Sequence, residues 1–237
     1  MNFKTSSRLF ILLSVFISFT AQSAVIISGT RVVYPEKDKE VSLKMTNNGK
    51  SPVLIQSWID SGERESRPDT AQAPFTLTPP INRVNPGKGQ TLRIRYTGES
   101  LPTDKESLFY LNVLEIPAKV NNTEGKNMLQ LAFRSRLKVF FRPAGLAINA
   151  SDAQQQVKWS RLGTTVTATN PTPYFINVAY FAADREGKVS LGNGGMIAPG
   201  GTKAFTLSRN KGNYFPFIIN DYGAMRLVEP EKSSATK

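Results

Sequence analysis

Residues 128–143, reading MLQLAFRSRLKVFFRP, carry the clearest chemistry in the chain, and it is the chemistry of binding rather than of catalysis. Leu129, Leu131, Phe133 and Leu137 alternate with Gln130, Ala132, Arg134, Arg136 and Lys138 at the two-residue period of a β-strand, apolar on one face and basic on the other. A strand of this kind could lend its backbone and its apolar face to a guest chain. The competing reading is an internal core strand of the protein itself.

Reactive residues are scarce. The sequence has no histidine and no cysteine, which removes Ser-His-Asp triads, imidazole metal sites, thiol nucleophiles and thiolate zinc sites. Its carboxylates do not follow calcium-loop spacing, and neither a P-loop nor a Gly-x-Gly-x-x-Gly fingerprint occurs. Glu63 and Glu65 are the carboxylates to weigh for hydrolysis, but they sit beside cations in the loop Ser61-Gly62-Glu63-Arg64-Glu65-Ser66. No metal, cofactor or enzymatic activity is expected. The sequons Asn121-Asn122-Thr123 and Asn149-Ala150-Ser151 are short patterns that arise by chance.

The elements that must position the binding strand start with an address. Lys4 and Arg8 precede an apolar run over 9–19, and Ala21-Gln22-Ser23 supplies small residues for cleavage, so 1–23 reads as a secretory signal and the mature chain as starting near Ala24. The apolar run is shorter than the roughly 20 residues that a membrane span needs. Without 1–23, which carry two cations and no acid, 214 of the 237 residues remain and the formal charge falls from +12 to +10. That length suits two domains of about 100 residues, each able to bury a core without disulfides. For an exported protein the basic balance does not point to nucleic acid. Cations spread through strands such as Thr91-Leu92-Arg93-Ile94-Arg95-Tyr96 read as one solvated face.

Alternating runs predict strands over 41–46, 53–59, 90–96, 108–116, 164–169, 175–181 and 203–207. Between them lie turn residues, including Asn85-Pro86-Gly87, Gly192-Asn193-Gly194-Gly195 and Pro199-Gly200-Gly201. The pattern is all-β, and sandwiches are favoured. Asn47-Asn48, then Pro86-Gly87 and Leu92, is echoed by Asn170-Pro171, then Pro199-Gly200 and Phe205, which suggests two similar units. Arg142-Pro143-Ala144-Gly145 is the natural boundary, giving units over 24–143 and 144–228 and a polar, frayed tail over 229–237.

Six motifs in order resemble the periplasmic chaperones of the chaperone-usher pathway. They are Ala24-Val25 with Thr30-Arg31; Pro79-Pro80-Ile81-Asn82-Arg83-Val84 before Pro86-Gly87; and Glu106-Ser107-Leu108-Phe109-Tyr110-Leu111-Asn112 with Ile116-Pro117. Then come Lys138-Val139-Phe140-Phe141-Arg142-Pro143, Asn170-Pro171-Thr172-Pro173-Tyr174-Phe175 and Asn220-Asp221-Tyr222-Gly223. The resemblance implies two immunoglobulin-like β-sandwich domains in a boomerang and a periplasmic, ATP-independent chaperone that binds, folds and caps pilus subunits by donor-strand complementation.

Leu129, Leu131 and Phe133 then match the donor strand, with Leu137 assigned to the chaperone's own core. Arg31 and Lys138 match the cleft pair that grips the subunit's terminal carboxylate and so sets the register of insertion. Glu106, Arg142 and Asp221 match a charged trio that holds the angle between the domains. The implied partners are pilus subunits and an outer-membrane usher, with no nucleic acid, no membrane insertion, and self-capping into a homo-oligomer when free. Lys105 stands where the family commonly has arginine. The absence of cysteine and the moderate loop over 118–127 resemble the short-loop branch. The other class of reading is a secreted adhesin or sugar-binding sandwich, in which Trp58, Trp159 or Tyr174 would be exposed to line a ligand surface.

Overall fold

Among the described residues, β-strands are nearly the only regular elements. The computed structural model describes residues 25–119 and 130–230. The expected signal segment, Leu129, most of the loop over 118–127 and the tail beyond 230 lie outside the described residues.

In the first half, β1 (Val25–Ile27), β3 (Val41–Asn47), β7 (Gly89–Tyr96) and β5 (Phe75–Thr78) form one sheet in that order. The facing sheet has the order β2 (Arg31–Pro35), β9 (Phe133–Arg142), β8 (Ser107–Pro117), β4 (Val53–Asp60) and β6 (Ile81–Val84). Alternate residues meet between the sheets: Leu43, Met45, Leu92 and Ile94 pack against Val32, Ile55, Leu111, Val113, Leu137 and Val139. Tyr34, Phe75, Tyr96, Phe109 and Phe141 close one end, with neighbouring ring centroids 4.5 to 6.4 Å apart.

In the second half, β10 (Lys158–Leu162), β11 (Thr165–Thr169) and β14 (Thr202–Thr206) face β13 (Ser190–Ile197), β12 (Ile176–Ala182), β15 (Phe215–Ile219) and β16 (Met225–Leu227). A single helical turn, Ala150–Ala153, precedes them. Trp159, Val166, Ile176, Phe181, Phe205 and Ile218 form a separate core.

The repeated asparagine has a physical basis. Buried Asn47 donates from Nδ2 to the carbonyls of Ser51 and Val84 and accepts the Gly49 N–H. Buried Asn170 does the same for the carbonyls of Tyr174 and Ala198 and the Thr172 N–H. Each side chain satisfies backbone groups that a strand-to-strand turn would otherwise bury unpaired.

Two strand expectations need correction. Gly192-Asn193-Gly194-Gly195, read as a turn, lies inside β13. The glycines are there for close approach, since a Cβ on Gly194 would lie 2.1 Å from the Val178 carbonyl oxygen and one on Gly192 would lie 2.5 Å from that of Thr206. The binding strand, expected from 128, starts at Phe133, which leaves Leu131 outside it. In the register that pairs Glu115 with Phe133, Leu131 would face Pro117, where β8 ends in a residue with no N–H to donate.

Candidate functional site

Strand β9 is held in two different ways along its length. Residues 138–141 lie between β8 and β2, the latter running parallel with Arg31 opposite Lys138 and continuing until Pro35 lies opposite Arg142. Residues 133–137 are paired with β8 on one side and, among the described residues, with no strand on the other. That open edge presents a row of backbone donors and acceptors. Phe133 shares the parity of core residues Leu137 and Val139 but lies beyond the sandwich at 61% exposure, and Leu131 is 55% exposed.

Where the open edge meets the second sandwich, Arg31 and Lys138 are register partners on adjacent strands. Arg31 Nη1 donates to the Ile219 carbonyl at 3.5 Å, and its buried Nε has no partner among the described residues. Lys138 Nζ donates to Asn177 Oδ1 at 2.6 Å. Burial pulls the pKa of Arg31 down, partly offset by Asp221, and burial followed by the charges of Arg31 and Lys203 pulls that of Lys138 down. Two half-desolvated cations side by side, one with a spare donor, make a site that an anion would relieve. A narrow cleft lined by Arg31, Glu106, Arg142, Asn177, Ile219 and Asp221 lies between the two sandwiches.

Arg142, the last residue of β9, is the hub of the cleft. Its Nε donates to Glu106 Oε1 at 2.8 Å, while Nη1 and Nη2 donate to Asp221 Oδ2 and Oδ1 at 2.7 and 3.0 Å. The guanidinium also lies 5.0 Å from the Tyr174 ring centroid. Glu106 reaches the second sandwich through its backbone as well: its N–H donates to the Pro173 carbonyl, and its Oε2 accepts the Phe175 N–H. Burial pushes the Glu106 carboxyl above its ordinary value despite Arg142. Burial disfavours charge on Arg142 too, but Asp221 and Glu106 together hold it protonated. These groups join residues of both halves of the chain.

Of the expected site residues, Arg31 and Lys138 lie together, Glu106, Arg142 and Asp221 form one network, Phe133 and Leu131 are exposed, and Leu129 lies outside the described residues. Leu137 is buried in the first core. Trp58, Trp159 and Tyr174 are also buried, so they offer no aromatic ligand surface. Sequence reasoning missed Asn177 and Asp60. Asn177 sits in an apolar strand with no local signature, and Asp60 closes a strand whose following loop reads as ordinary surface. Arg134 and Arg136, on the basic face of β9, donate to carbonyls of that loop.

Residues 24–147 match the family described as pili and flagellar-assembly chaperone, PapD N-terminal domain, and residues 152–228 match pili assembly chaperone PapD, C-terminal domain. The chain is similar to the chaperone protein FimB/FhaD of Bordetella pertussis, 45% identical over 184 residues that cover 76% of this chain and 75% of that one. It is also similar to the crystal structure of the Pseudomonas aeruginosa CupB2 chaperone, with 39% identity and a TM-score of 0.71, covering 85% of this chain and 97% of the other. The SafB chaperone of Salmonella enterica, solved in complex with SafA pilin, has a TM-score of 0.74 at 26% identity, covering 88% and 95%.

Proposed function

The chain belongs to the PapD family of pilus-assembly chaperones, and from that premise we propose that it captures pilus subunits in the periplasm by lending them residues 129–133 as a donor strand. A subunit that is an incomplete sandwich exposes an apolar groove and unpaired backbone. The open edge of β9 meets the backbone, while Leu129, Leu131 and Phe133 fill the groove. Three such side chains leaving water are worth roughly 5 to 8 kcal/mol before ordering costs. Because side chains alternate, a one-residue slip would turn all three away from the groove. Arg31 and Lys138 prevent the slip by gripping the subunit's terminal carboxylate.

The observation that carries this reading is the continuity of one strand, with two half-desolvated cations at the end of an edge that bears exposed apolar residues. The two units, 24–143 and 144–228, are held at a working angle by Glu106, Arg142 and Asp221. Release takes place at an outer-membrane usher that contacts the first unit, without ATP, cofactor or catalysis, and in the absence of a subunit the exposed edges cap one another. The sugar-binding reading loses its support with the burial of Trp58, Trp159 and Tyr174. Co-expression with a candidate subunit tests the proposal. A one-to-one complex should co-purify with the wild type and be lost with Arg31→Ala and with Lys138→Ala, and retention in both variants would refute the carboxylate anchor.

A further inference from the structure

Among the described residues, 133–137 have a strand on one side only, yet they are not left to hold their shape alone. On the face opposite Phe133, the loop that follows β4 folds back over the sheet and buries Trp58, Asp60, Ser66 and Asn112. Asp60 is fully buried. Its Oδ2 accepts from Ser66 Oγ at 2.7 Å and Asn112 Nδ2 at 2.6 Å, and its Oδ1 accepts from the Gly62 N–H at 2.8 Å and from the Arg136 guanidinium. Ser66 Oγ in turn accepts the Trp58 Nε1–H at 3.1 Å.

The same loop reaches the strand from two further points. Arg136 also donates to the Glu63 carbonyl at 3.3 Å and lies 4.0 Å over the Tyr110 ring, while Arg134 donates to the carbonyls of Arg64 and Ser66. One buried carboxylate therefore joins β4, β8, β9 and the loop, and both cations of the free-edged segment end on it or on its loop. Burial alone would push the Asp60 carboxyl up, but its four donors hold it below the ordinary carboxylate range.

We propose that Asp60 is a positioning residue for subunit capture: through Arg136 and the loop at 61–66 it clasps residues 133–137 from behind, so that they stay extended and open-edged for the subunit. The inference rests on the reading that this segment is lent to a subunit. A segment ordered in advance gives up less freedom on binding, so the clasp acts on the lifetime and register of the complex without touching the subunit. It also divides the labour along β9, with the terminal carboxylate gripped at Lys138 and the segment kept straight at Arg134 and Arg136.

The test compares wild type, Asp60→Asn and Arg136→Lys by two readouts. One is amide hydrogen exchange along β9 in the free protein, and the other is the dissociation half-life of the complex with a purified pilus subunit, measured well below the melting temperature. In Asp60→Asn, exchange at 133–137 should rise about tenfold relative to 138–142, and the half-life should fall about tenfold. Arg136→Lys keeps the charge but loses the planar guanidinium that lies over the Tyr110 ring, so it should fall between the two. If exchange rises evenly over β8 and β9 with an unchanged half-life, Asp60 is only a stability residue and the clasp is refuted. Should Asp60→Asn fail to fold, the same readouts on Arg136→Lys decide. Failure of the wild type to bind any subunit would sink the capture reading itself, whereas normal wild-type binding with unaltered variants sinks the clasp alone.

Discussion

The two halves of β9 are one strand under opposite constraints. Residues 138–141 have strands on both sides and include buried Val139, Phe140 and Phe141, and the strand's end is knotted into the second sandwich by Arg142. Among the described residues, 133–137 have one neighbouring strand, an exposed Phe133 and, behind them, the Arg136–Asp60 contact. The first arrangement maximises internal satisfaction, while the second leaves donors, acceptors and apolar surface unused inside the molecule. A strand edge held in order yet unsatisfied is costly as a fold and useful as a binding surface, so the contrast marks where stability ends and function begins.

Substitutions should separate the halves, with effects on stability that descend from the closed half to the open one. Arg142→Ala strands the buried Glu106 carboxylate and should cost about 3 to 5 kcal/mol, seen as a large fall in melting temperature. Asp221→Ala should cost about 1 to 2 kcal/mol, because its side chain is 38% exposed and its pairing is partly screened. Its clearer signature should be a broadened distribution of interdomain angles in small-angle scattering, and an unchanged profile would remove the trio from that role.

Acid should act next. A carboxyl held below its ordinary value contributes stability that is present above about pH 4 and is lost as pH falls through the folded value. Acid melts below pH 4 should therefore fall less steeply in Asp60→Asn than in the wild type. Smallest on stability should be Phe133→Ser, within about 0.5 kcal/mol because the ring is exposed. That same variant should lose most subunit co-purification, and a large melting shift with normal capture would reverse the assignment of the two halves.

Much of this was legible in the chain. Two-residue alternation located seven strands to within one or two residues, and the asparagine turns echoed because both halves solve the same buried-backbone problem. Short strands such as β5 and β16 escaped notice, being too brief for a period to declare itself. Strand β13 was hidden by glycines that signal a turn locally but here make room for β12. At the site, Arg31, Lys138, Glu106, Arg142 and Asp221 were reachable only through a resemblance, since each alone looks like a solvated charge. Asp60 and Asn177 were not reachable at all.

By itself the sequence determined the all-β class, the lack of histidine and thiol chemistry, and the alternation that gives 129–133 an apolar face, because these follow from residue type and local periodicity. Tertiary structure decided which part of β9 keeps an open edge, since that depends on where β2 begins, and which cations are solvated. Arg31 and Lys138 are separated by 107 positions in sequence and become neighbours only through the parallel pairing of β2 with β9. Burial and charge pairing are properties of folded neighbours, and no run of residues along the chain contains them.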